Sequence, residues 1–225
     1  MIITIDGPIA TGKSTIAKRL AQELGYVFFD TGAMYRCLAY GVHKHTINVD
    51  DPQALAEFLK TFNFEIKIKH GDRYYYIDGE DITLPIRSPE VTAAVSKISA
   101  LPAVREKLVA LQKNMAVGVN AVFEGRDMGS VVFPNAQLKI FLTGRPEIRA
   151  ARRLAEFRDK FPAETANLTL EQVTKEIGER DAYDMSRETS PLIKAPDAFL
   201  IDTSDLSLDE IIMKILECKD SLKKR

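Results

Sequence analysis

The sequence predicts an α/β fold, a parallel β-sheet with helices packed on both faces. Three observations point there. Short apolar, β-branched runs alternate with stretches whose apolar residues recur at helical spacing, the order that crossover helices between parallel strands impose. The first such run leads through a glycine-rich turn directly into a helical pattern. One stretch near residue 65 changes to a period of two and breaks the rhythm.

Residues 1–5 form the first expected strand, stopped by Asp6-Gly7-Pro8. From Lys13 onward Ile16, Leu20 and Leu24 recur every fourth residue, and Gly25 stands where a helix C-cap belongs. Further strands are expected at 26–29, at 121–123 after a turn at Gly118, at 138–142 and at 198–201, which makes a five-stranded sheet. Helical patterns occupy 34–43, 52–60, 91–100, 102–115, 146–158, 170–182 and 208–222. In the exception, Phe64 to Lys69 alternates, His70-Gly71-Asp72 turns, Tyr74 to Ile77 is aromatic, and Asp78-Gly79 turns again. It reads as a small antiparallel insertion, or as a decorated edge of the main sheet. The tail 219–225 is charged and reads as a fraying helix end.

The chain has 225 residues, enough for a single domain with an insertion. Its 31 Lys and Arg balance 32 Asp and Glu, without the basic excess that marks many nucleic-acid binders, so any anion must be gripped locally and no nucleic-acid partner is expected. Cys37 and Cys218 are too few and too far apart for a metal site or a disulfide framework; they read as packing thiols in a reducing compartment. No stretch has the pattern of a membrane span or secretory leader, so a cytoplasmic location without a membrane partner is expected. His43, His45 and His70 fall outside every motif and read as structural or exposed.

Gly7-Pro8-Ile9-Ala10-Thr11-Gly12-Lys13-Ser14 matches the phosphate-loop pattern G-x-x-x-x-G-K-[ST] at the strand-to-helix turn where that pattern belongs, with Thr15 next in the helix. Glycines let the backbone curl so that N–H groups face phosphate oxygens, and the helix N-terminus adds its dipole. Lys13 would reach the β- and γ-phosphates, and the Ser14 hydroxyl would meet Mg²⁺. The loop leaves the acceptor open among water, a small hydroxyl compound and another phosphate.

Arg36 and Arg126 each follow an expected strand, at the sheet end where ligands of open α/β folds bind, and arginine's planar fork suits paired phosphate oxygens. Asp30-Thr31-Gly32-Ala33-Met34-Tyr35-Arg36, Gly125-Arg126-Asp127-Met128-Gly129-Ser130-Val131-Val132-Phe133-Pro134, and Glu179-Arg180-Asp181 with Asp184 and Arg187 are further segments of note. Together with the phosphate loop they resemble, nearly end to end, the bacterial cytidylate kinases of the nucleoside monophosphate kinase group. That resemblance implies a P-loop kinase fold, an insertion in the monophosphate-binding region at about 62–100, a short lid at about 153–168, and transfer of the γ-phosphoryl group of ATP to CMP or dCMP by a monomer with Mg²⁺. It places Thr31, Arg105, Asp127 and Arg187 at the base, Ser96, Arg180 and Asp184 at the sugar, and Arg36 and Arg126 at the acceptor's phosphate.

Arg149, Arg152, Arg153 and Arg158 read either as a charged helix face or as lid cations that close over the transferring group, with Arg153 the catalytic candidate. Tyr74, Tyr75 and Tyr76 read as a satellite core or as base-stacking groups. Two departures from the family pattern stand out. Glu124 occupies a position where many members have Asp, which leaves a Mg²⁺-water contact there open, and Ser14 stands where some bacterial members have Gly. Other readings are a kinase of another small acceptor and a nucleotide-dependent switch, though no guanine-reading N-K-x-D sequence is present.

Overall fold

A computed structural model describes residues 1–69 and 72–222; the expected turn at His70-Gly71 and residues 223–225 of the charged tail lie outside them. Among the described residues the elements run β1 (Ile2–Asp6), α1 (Lys13–Leu24), β2 (Val27–Asp30), α2 (Thr31–Lys44), α3 (Pro52–Thr61), β3 (Glu65–Lys69), β4 (Asp72–Ile77), β5 (Glu80–Asp81), α4 (Pro89–Ala100), α5 (Pro102–Met115), β6 (Ala121–Glu124), β7 (Leu138–Thr143), α6 (Pro146–Lys160), α7 (Leu170–Ser186), β8 (Phe199–Asp202) and α8 (Leu208–Leu222). They form two compact units, Met1–Asp30 with Gln112–Arg225, and Thr31–Leu111.

In the first unit the five expected strands form one parallel sheet in the order β2-β6-β1-β7-β8. The central strand β1 pairs Ile5 with Glu124 on one side and Ile140 on the other. It is apolar nearly throughout because the core covers it: Ile3 and Ile5 are buried in a cluster with Ile16, Leu20, Val122, Leu142 and Ile215. Burying each such side chain contributes about 1.5–3 kcal/mol. α1 ends as its sequence predicts, with Gly25 at φ 65° and its N–H on the carbonyls of Ala21 and Gln22. A smaller core of Ala150, Leu154, Val173 and Ile177 holds α6 to α7, and a Thr169–Gln172 capping box starts α7.

The second unit contains α2, α3, α4 and a three-stranded antiparallel sheet in the order β3-β4-β5. That sheet is separate from the parallel one, so the period-two stretch is an insertion and not a decorated edge. Asp78 and Gly79, at φ 52° and 80°, make the tight turn from β4 to β5, a conformation the Asp-Gly pair favours. Tyr75 is 2% exposed and packs in this unit's core with Leu38, Ile77, Ile82 and Leu108, which settles it as a packing residue. Tyr74 and Tyr76 are partly exposed, with Lys69 and Lys67 over their rings at 5.3 and 4.5 Å. α2 also belongs to this unit's core, through Cys37, Leu38 and Val42. His43 and His45 are exposed and lie 2.9 and 3.6 Å from Glu90 and Asp78. Cys37 is buried, Cys218 half-buried, and both are free thiols. Among the described residues no helix is long and apolar enough to cross a membrane.

Candidate active site

Three strands of the parallel sheet end on buried carboxylates, Asp6 on β1, Asp30 on β2 and Glu124 on β6. Asp6 accepts the N–H of Met128 at 2.9 Å and of Gly129 at 2.7 Å. These bonds hold the start of a wide turn at Met128–Val132, in which Val132 and Phe133 donate to the carbonyls five residues back. Gly129 is required there, since a Cβ would lie 2.8 Å from Thr4 Oγ1. Burial raises the Asp6 pKa to about 6, against the lowering effect of its two backbone donors. Burial also pushes Glu124 up, with Asp30 adding to it and Lys13 opposing.

The phosphate loop leaves β1 through Gly7, at φ 150°, where a Cβ would sit 2.3 Å from the carbonyl oxygen of Leu142. Ala10, at φ 59°, is in the left-handed region, and Gly12, at φ 86°, precedes α1 without a side-chain cap. The first N–H groups of α1 are thus free of a capping side chain and suited to an anion. Thr11 Oγ1 donates to the Pro8 carbonyl at 3.1 Å and Lys13 Nζ to the same oxygen at 2.7 Å, while Ser14 and Thr15 lie exposed on the first turn. Lys13 is 6% exposed; burial and then Arg126 lower its pKa, while Glu124, Asp181 and Asp6 hold it up.

The same unit gathers guanidinium groups around one carboxylate. Arg126 Nε donates to Asp184 Oδ2 at 3.0 Å, and Arg187 Nη1 lies 3.7 Å from Asp184 Oδ1. Arg180 is held down to about 10 by burial and by the positive charges of Arg126, Arg153 and Arg187, which Asp184 only partly offsets. Asp127, between Arg126 and the wide turn, is buried. Arg126, Arg153, Arg180, Asp184 and Arg187 therefore share one electrostatic neighbourhood, and Arg126 also acts on Lys13. Such a concentration of positive charge beside a phosphate loop raises the local potential, which favours an anion there.

In the second unit Thr31 is buried at the start of α2, and Arg36 donates to Thr92 Oγ1 at 2.7 Å, one turn before half-buried Ser96 on α4. Arg105 is buried, with its guanidinium 5.7 Å from the centre of the Tyr35 ring and Nη1 3.5 Å from the Ser99 carbonyl.

The family model for cytidylate kinase matches residues 3–221. A cytidylate kinase of Protochlamydia amoebophila (strain UWE25) is 61% identical over 223 residues, covering 99% of this chain and 98% of the relative; one of Geobacillus sp. (strain WCH70) is 46% identical, covering 96% and 94%. The chain belongs to the cytidylate kinase family. It is accordingly an enzyme, a nucleoside monophosphate kinase. A shikimate kinase from Bacteroides thetaiotaomicron shares the fold alone, with a TM-score of 0.50 at 12% identity over 99% of this chain and 98% of that one.

For a cytidylate kinase family member, the fates of the four α6 arginines differ. Arg149 is buried against Asp181, and Arg152 holds the Thr203 carbonyl at 2.7 Å. Arg153 lies 2.7 Å from Glu156 and 4.0 Å from the centre of the Phe157 ring, and Arg158 donates to the Leu168 carbonyl at 3.3 Å. At the departure from the family pattern, Glu124 Oε1 accepts a hydrogen bond from Ser14 Oγ at 2.5 Å. These two oxygen donors beside the loop suit Mg²⁺, which is held mostly by phosphate and water oxygens; among the described residues no group of three or more His, Cys, Asp or Glu could cage a metal. Asp6 and Asp30 stand directly after apolar runs, a signal that could mark them as site residues, whereas the Arg149–Asp181 pair carries no local signal.

Proposed function

We infer that this chain transfers the γ-phosphoryl group of ATP to CMP or dCMP, giving ADP and CDP or dCDP. The observation that carries this reading is the buried Lys13 of the phosphate loop beside the guanidinium groups that surround Asp184. The backbone of residues 7–15 cradles the donor's phosphates, and Lys13 offsets charge on the transferring group. Mg²⁺ would be held by Ser14, with Glu124 behind it, and would supply charge neutralisation on the β- and γ-oxygens. The family resemblance assigns Arg36 and Arg126 to the acceptor's phosphate, Thr31, Arg105, Asp127 and Arg187 to its base, and Ser96, Arg180 and Asp184 to its sugar.

A monophosphate oxygen is already a competent nucleophile, so the catalyst needs position and charge more than a general base. Residues of about 62–100 serve the acceptor, and those of about 153–168 form a lid that brings Arg153 to the transferring phosphoryl group and excludes water. The reaction is assigned to a cytoplasmic monomer acting on small nucleotides, a location supported by the two free thiols. Initial rates with ATP and, side by side, CMP, dCMP, UMP and AMP test it. ADP formed fastest with a cytosine acceptor, and negligibly without acceptor, is the expected result; acceptor-independent hydrolysis would replace the kinase reading with a switch.

A further inference from the structure

Ile9, inside the phosphate loop, has both of its backbone polar groups taken by side chains distant in sequence. Its N–H donates to Asp181 Oδ1 at 3.1 Å, and its carbonyl accepts from Arg149 Nη1 at 3.0 Å. Arg149 Nη1 also lies 2.6 Å from Asp181 Oδ2, and its Nε donates to the Gly144 carbonyl at 2.9 Å. The two side chains are 8% and 10% exposed. One guanidinium from α6 and one carboxylate from α7 thus close a hydrogen-bonded ring on Ile9.

Position gives the ring its meaning. Ile9 is followed by Ala10 in the left-handed region, a conformation that is unfavourable for an L-residue and persists where the surroundings over-determine it. Asp181 directly follows Arg180 and stands one helical turn before Asp184, so α7 carries both the anchor of the loop and part of the guanidinium cluster. Its charge also helps keep Lys13 protonated. A buried ion pair by itself is weak evidence for stability, since apolar replacements of similar volume are often neutral. A pair that fastens both sides of one loop residue does something an apolar pair could not: it sets the direction of the neighbouring N–H groups.

We propose that Arg149 and Asp181 are positioning residues that fix the arc of the phosphate loop and, through α7, keep it in register with the guanidinium cluster. This rests on the phosphoryl-transfer reading above. The test uses the full chain as Asp181→Asn, Arg149→Lys and the apolar double variant Arg149→Met with Asp181→Leu, measuring thermal midpoint, ADP affinity by calorimetry, and kcat and KM for each substrate. The expected result is a fall in kcat of about tenfold to a hundredfold with weaker ADP binding and an unchanged KM for CMP, the scale that loss of alignment near a reacting centre produces. In the double variant the midpoint should stay near that of the wild type while turnover stays low.

A double variant with normal turnover and normal ADP affinity would overturn the proposal, and so would folded single variants with wild-type values. A change confined to the KM for CMP would move the pair's role to the acceptor and also overturn it. Should the single variants fail to fold, the double variant decides. ADP affinity needs no acceptor, so if the wild type phosphorylated no monophosphate the phosphoryl-transfer reading would fail while the loop proposal would still be judged by calorimetry.

Discussion

Arg126 donates from Nε to Asp184 Oδ2 at 3.0 Å, an ion pair in which the carboxylate is buried and the guanidinium remains partly open. Arg187 Nη1 also lies 3.7 Å from Asp184 Oδ1, so this one buried carboxylate faces two guanidinium groups.

Arg126→Ala should therefore cripple use of the acceptor while ATP binding survives. Calorimetry with ATP and steady-state kinetics with CMP separate the two ends. Collapse of ATP affinity with an intact KM for CMP would mean that donor and acceptor ends are reversed.

Lys13→Met should leave the fold intact and reduce turnover by at least about a hundredfold, because an electrostatic contact with a transferring phosphoryl group is worth several kcal/mol. Near-normal turnover in a folded variant would end the phosphate-loop assignment.

Asp127 is expected to read the cytosine amino group. An ionised carboxylate can only accept a hydrogen bond, whereas uracil presents an acceptor at the same position. The CMP-over-UMP ratio of kcat/KM should be about tenfold to a hundredfold or more, and Asp127→Ala should shrink it. Equal losses on both substrates would reassign Asp127 to structure.

CMP with an unreactive ATP analogue should slow amide hydrogen exchange across 157–169. α6 ends at Lys160 and turns join it to α7, so closure of a lid would order this connection. Identical exchange with and without ligands, at unsaturated times, would remove the lid.

Asp6 predicts a pH signature in stability. Its folded pKa of about 6 lies above the ordinary carboxylate value, so the protonated form is favoured by folding. Its contribution is fully present below the ordinary value and is lost as pH rises through about 6, up to about 3 kcal/mol for a shift of this size. Thermal midpoints of wild type and Asp6→Asn should therefore diverge against the wild type over that interval; a constant difference would show that Asp6 does not titrate there.

Much of this molecule was legible in its residues because the signals are local. The β-branched runs, the fourfold spacing of Ile16, Leu20 and Leu24 and the Gly25 cap each report on their own neighbourhood, and the observed elements follow them. Strand ends were shifted: the apolar pattern stops at Ile5, Phe29 and Phe123, while the strands continue onto Asp6, Asp30 and Glu124. Polar residues there are satisfied by tertiary partners that no local rule supplies. The same reason hid the ring on Ile9, whose partners Arg149 and Asp181 lie far along the chain, and the extent of the second unit, because helical periodicity in α2 gives its buried face and not which core receives it.

The order of the parallel sheet bears on how the chain is made. Ile2 pairs with Ala121 and Ile3 with Leu138, so the central strand, made before both of its neighbours, meets neither until the chain has been extended past residue 121. Throughout that interval an apolar strand with two unsatisfied edges is carried by the nascent polypeptide, the kind of segment that chaperones shield and that pairs wrongly when crowded. The intervening Thr31–Leu111 unit has its own core and can collapse while the strand waits, which brings the two ends of the interruption closer and shortens the search for β6.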